Sequence, residues 1–160
     1  MNFSLEVGPH TDLDTLPPVK DIYVTMLPGG DYKETANQVG ELVKKKFNPV
    51  PHFPARSITD EPQLKDYILR CKDMGAKQAL VIGGSRDPIG KFDSSIQILE
   101  TGLFDGIKIG IAGHPEGSPD MSETKLEKAM VDKKPYADYI VTQWLLDSQP
   151  IVDFISKQSV

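Results

Sequence analysis

The chain has 160 residues, enough for one domain with a sizeable core, and its 39% hydrophobic and 26% charged content is ordinary for a globular protein. A net charge of -5 gives no basic surface for nucleic acid or an anionic membrane, which leaves small ligands and protein partners. A single cysteine, Cys71, excludes an intrachain disulfide, no apolar run approaches a membrane span, and Met1 to Glu6 lacks a signal-peptide pattern, so a cytoplasmic protein is expected.

Phe3-Ser4-Leu5-Glu6-Val7 alternates apolar and polar before Gly8-Pro9 and reads as a short strand with Glu6 opposite to Leu5 and Val7. His10 to Lys20 holds too many Asp and Pro turn signals for a good helix. Ile22 to Leu27 is a second strand, ended by Pro28-Gly29-Gly30. Asp31 can cap a helix in which Tyr32, Ala36, Val39, Val43 and Phe47 recur at helical spacing until Asn48-Pro49.

Val50 to Phe53 makes a short third strand interrupted by prolines. Thr59-Asp60-Glu61-Pro62 starts a helix whose face is Leu64, Tyr67, Ile68 and Cys71, which makes Cys71 a core residue. Gln78 to Ile82 is almost continuously apolar, as in a strand covered on both faces, and runs into the polar loop Gly83-Gly84-Ser85-Arg86-Asp87-Pro88. A helix over Asp93 to Thr101 leads past Gly102 to Ile107-Lys108-Ile109-Gly110-Ile111, a strand that breaks into Gly113-His114-Pro115-Glu116-Gly117-Ser118-Pro119-Asp120. Ser122 to Val131 is the next helix and Asp138 to Gln143 a sixth strand. Ser148-Gln149-Pro150 opens a last helix with the face Ile151, Phe154 and Ile155.

The strands start near residues 3, 21, 49, 79, 108 and 139, and after the first gap each interval is the length of a strand plus a crossover helix. Such units in a row give a right-handed parallel sheet. The loops match neither a dinucleotide fingerprint nor a phosphate-binding loop. Polar residues sit instead at nearly every strand end: Glu6, Thr25, His52, Arg86 or Asp87, His114 with Glu116, and Gln143. That even distribution favours a barrel, whose strand ends converge on one mouth, over an open sheet.

Five segments fall in the order and approximate spacing of the methylenetetrahydrofolate reductases, and the chain resembles that family over most of its length. They are Ser4-Leu5-Glu6, Tyr23-Val24-Thr25, Pro51-His52-Phe53, Gly113 to Pro119, and Ala137 to Gln143. The resemblance implies a parallel (β/α) barrel of the TIM type, of which residues 1–160 would hold only the first six strand units as a single, incomplete domain. It implies FAD as cofactor, NADH or NADPH as reductant, and reduction of 5,10-methylenetetrahydrofolate to 5-methyltetrahydrofolate.

On this resemblance Glu6 is the general acid that assists opening of the folate ring, Thr25, His52, Arg86 and His114 bind the flavin, and Gln143 contacts the pterin. An acid facing a partly dry mouth suits proton donation, and an amide offers both donors and acceptors to a pterin edge. The family's Leu-Arg-Gly-Asp is here Ile82-Gly83-Gly84-Ser85-Arg86-Asp87, so either Asp87 supplies the catalytic carboxylate after a shift or Ser85 holds its place. The family's Tyr-Pro-Glu is His114-Pro115-Glu116, its later histidine is Ser118, and its aromatic pair after the glutamine is Trp144-Leu145-Leu146.

Two other classes stand beside this reading. His52, His114, Glu116 and Asp87 could form a mixed nitrogen and oxygen metal site of a hydrolase or lyase. The altered flavin positions suit a non-catalytic, folate-binding or truncated reductase-like protein. An unclosed barrel would expose two strand edges, from which a homo-oligomer or a longer protein is expected.

Overall fold

In a computed structural model describing residues 3–119 and 121–158, the six predicted strands form one parallel sheet in sequence order. They are β1 (Leu5–Val7), β2 (Asp21–Val24), β3 (Asn48–Pro54), β4 (Gln78–Ile82), β5 (Lys108–Gly113) and β6 (Tyr139–Thr142). The sheet curls into a half-barrel with an open concave face. Asp120, at the end of the polar loop after β5, lies outside the described residues.

Strand alternation divides the side chains between two environments. Val7, Ile22, Val24, Phe53, Ala79, Val81, Ile109 and Ile111 point to the helix side and form the main core with Val39, Leu42, Leu64, Tyr67 and Ile98. The register pairs Glu6 with Tyr23, Tyr23 with Val50, His52 with Leu80, Leu80 with Gly110 and Gly110 with Tyr139, which puts these residues on the other, concave face.

β3 is longer than the sequence suggests, because its three prolines fall where no neighbouring strand requires an N–H. Asn48 donates its N–H to Lys20 on the β2 side, so alternate N–H groups starting at residue 49 would face β4. Pro49 and Pro51 occupy such positions, and pairing with β4 begins only at His52. Pro54 would face β2, which has already ended opposite Pro51. The strand thus hands its pairing from β2 to β4 midway, a stagger typical of barrels.

The crossover helices are α1 (Tyr32–Lys44), α2 (Glu61–Asp73), α3 (Ser95–Leu99) and α4 (Glu123–Lys133), followed by α5 (Gln149–Gln158). Asp31 and Asp60 cap α1 and α2 as expected, their carboxylates accepting the N–H groups of Lys33 and Gln63. α1 and α2 approach closely at Gly40, where a Cβ would lie 2.9 Å from Met74 Sδ. α3 is shorter than the predicted Asp93 to Thr101. The Gln97 side chain accepts the N–H groups of Asp93 and Ser94 in a capping box, and Gly102, at φ 69°, ends the segment. On α5 the expected stripe is rotated: Phe154 packs over Gly113 while Ile155 is 55% exposed. Cys71 is fully buried as expected.

Candidate functional site on the concave face

Three predicted residues from three adjacent strands meet. The Thr25 hydroxyl, just past β2, donates to Glu6 Oε1 at 3.1 Å, and Glu6 Oε2 lies 3.9 Å from His52 Nε2. The pairing Val24 with Pro51 sets Thr25 beside His52 one residue further on, and Glu6 is one strand away on the same face. The expectation of a dry acid is not met in the chain itself. The Glu6 side chain is 64% exposed, so any drying of its carboxyl must come from what binds over it.

His52 is the opposite case. It is buried, its backbone carbonyl accepts the Tyr67 hydroxyl at 2.9 Å, and the Tyr23 ring meets its imidazole edge-on at 6.0 Å. Nε2 is a buried nitrogen with no hydrogen-bond partner among the described residues. Burial lowers its pKa below the ordinary histidine value, against the opposing pull of Glu6, so at neutral pH the ring is uncharged. Of this pair the exposed Glu6 carboxyl is the group a polar ligand atom can reach, with the neutral imidazole closed in beside it.

Arg86 and Asp87 lie elsewhere along the same rim. With Pro28, Gly29 and Ser85 they line an open cleft of about 590 Å³, next to a smaller cavity of about 300 Å³ between Asp31, Tyr32, Ser57, Gln63 and Arg86. Gly84, at φ 93° against Pro54, provides the turn that brings this loop back over β3. Glu6, Thr25 and His52 do not line that cleft.

His114 follows β5 and is half-buried, its pKa lowered by burial and by the nearby Lys133 ammonium. Lys133 is buried, and its Nζ reaches the Ala112 carbonyl at 3.4 Å. Glu116 is exposed, as are Gln143, Trp144 and Leu146, the last two at 86% and 97%. Among the described residues no three His, Cys, Asp or Glu side chains come together as a metal site, so the set His52, His114, Glu116 and Asp87 is not assembled.

Sequence reasoning gave no role to three residues of this region: Tyr23, Tyr139 and Lys133. Nothing local marks the tyrosines, which read as strand residues, and Lys133 falls two residues past the predicted end of its helix. No family model matches the chain.

Proposed function

We propose that the chain is a flavin-dependent reductase of the methylenetetrahydrofolate reductase type, acting on 5,10-methylenetetrahydrofolate at the C-terminal ends of its strands. The observation that carries this reading is the meeting of Glu6, Thr25 and His52 on adjacent strands of a parallel half-barrel. The residues fit a polar heterocycle at one point in particular: the exposed Glu6 carboxyl, held by Thr25 next to a His52 Nε2 that has no hydrogen-bond partner among the described residues. When bound, FAD supplies the hydride chemistry, drawing on NADH or NADPH.

The protein groups have separate tasks on this reading. Glu6 holds a proton for the folate ring nitrogen, and its exposure leaves it reachable by substrate. Thr25 fixes the Glu6 carboxyl through Oε1. Arg86 and His114 offer polar contacts to the cofactor, Asp87 a carboxylate on the cleft wall, and the exposed Gln143 amide a pterin contact. The outer edge of β6, with Ile140, Trp144 and Leu146 exposed beside it, supports assembly with a second copy.

Equilibrium titration with FAD should perturb the flavin spectrum. Glu6→Gln should then slow folate reduction by about 10²–10⁴-fold while flavin reduction by the nicotinamide stays near wild type. Equal loss of both half-reactions would make Glu6 structural. Folate binding with no flavin binding would replace the reductase with a non-catalytic folate-binding protein.

A further inference from the structure

Tyr139 stands on β6, yet its side chain crosses the concave face toward the opposite side of the sheet. It lies over β5 at Gly110, where a Cβ would come within 2.5 Å of the tyrosine ring. Its hydroxyl reaches the Ala79 carbonyl of β4 at 3.4 Å, and Tyr139 comes near enough to Tyr23 on β2 for each phenol to act on the other's pKa. The Tyr23 ring in turn packs edge-on against His52. Burial raises the pKa of both phenols, so they stay protonated and hydrogen-bonding at neutral pH.

In a closed barrel, layers of inward side chains fill this space. Here two aromatic rings span it, and the smallest residue, Gly110, leaves the path open. We propose that Tyr139 and Tyr23 form a brace across the half-barrel that positions the His52 imidazole, and through it the Glu6–Thr25 pair. They are positioning residues: among the described residues the Glu6 carboxyl meets Thr25 and His52, and the Tyr23 ring packs edge-on against His52. The inference rests on the proposed reading only in treating Glu6 as the reacting carboxyl.

The test reads His52 itself. Three histidines give three imidazole signals in proton NMR, and His52→Gln identifies the one that matters. The groups facing His52 are Glu6 from β1, Tyr23 from β2 and Thr25 just past β2, with Asp21 acting on both tyrosines. Tyr139→Phe and Tyr23→Phe each remove one hydroxyl and keep the rings. Both should let water in beneath the imidazole and raise its titration midpoint by about 0.5 unit or more toward the ordinary value.

Tyr32→Phe, whose hydroxyl binds Asp66 on the helix side, should leave that midpoint unchanged. Gly110→Ala should displace the Tyr139 ring and shift the midpoint further; should that variant not fold, the two Phe variants decide. A His52 signal and midpoint unmoved in both Phe variants overturns the brace, whatever happens to the melting temperature. A moved midpoint in a protein that does not bind FAD leaves the brace standing and removes the reductase reading.

Discussion

Tyr67 ties the helical layer to the site through its hydroxyl, and Tyr67→Phe removes the bond to the His52 carbonyl together with the hydroxyl's interaction with Thr35. The side chain is fully buried, its ring packs 4.3 Å from Phe53 and 5.3 Å from Tyr32 between centroids, and its hydroxyl donates to the His52 carbonyl at 2.9 Å. Burial pushes the phenol pKa up, so the donor persists well into alkaline pH. Phenylalanine keeps the ring contacts and leaves a carbonyl in the core without that donor. A lost partner of this kind costs about 1–3 kcal/mol. At about 2–4 °C per kcal/mol for a chain of this size, the midpoint of thermal unfolding should fall by about 2–12 °C. Urea denaturation should give the same free energy with an unchanged slope. Tyr67→Ala, which also loses the ring, should cost about 3–5 kcal/mol. A Tyr67→Phe variant within about 0.5 kcal/mol of wild type, a change of surface-substitution size, would refute the idea that this bond holds the β3 backbone beneath the site.

Two further outcomes follow from burial and from the sheet edge. Both His52 and His114 have pKa values lowered on folding, so between about pH 6.5 and their folded values the unfolded chain binds protons that the folded chain refuses. Stability should therefore fall as pH drops below about 6.5, by up to about 1.4 kcal/mol per unit for His52 and less for the half-exposed His114. Melting curves from pH 7.5 to 5 should show this slope, and His52→Gln should flatten most of it; an equal slope in the variant would place the effect elsewhere. Sedimentation should show an oligomer that Ile140→Lys shifts toward monomer, and a wild-type monomer would remove the role given to the β6 edge.

The strands and their order were legible because each is a short apolar run closed by Gly, Pro or Asp, and the regular spacing left only parallel crossovers. The third strand was underestimated because Pro49, Pro51 and Pro54 look like breakers until the register shows that no neighbour needs their N–H groups. Glu6, Thr25 and His52 were legible as polar residues on successive strands, although Glu6 and His52 stand inside β1 and β3 and only Thr25 lies past its strand end, and the staggered register brings them together. The same rule placed Arg86, Asp87, His114 and Gln143 on one rim but could not say which would meet, since their loops diverge beyond the last paired residue. The tyrosine pair was invisible for a different reason. Tyr23 and Tyr139 lie near opposite ends of the chain, and only the curl of the sheet and the gap at Gly110 bring them together.

The handover along β3 has a mechanical consequence. Residues 48–51 belong to a leaf with β1 and β2, and residues 52–54 to a leaf with β4, β5 and β6. Within the sheet the two leaves are joined through the β3 backbone between Pro51 and His52, and outside it by α1 packing on α2 and by Tyr139 reaching toward Tyr23. The first pair of β3 with β4, His52–Leu80, holds the orphaned imidazole, and Glu6 and Thr25 sit on the other leaf. A twist of one leaf against the other changes the 3.9 Å separation between His52 and Glu6, because the two side chains stand on different leaves.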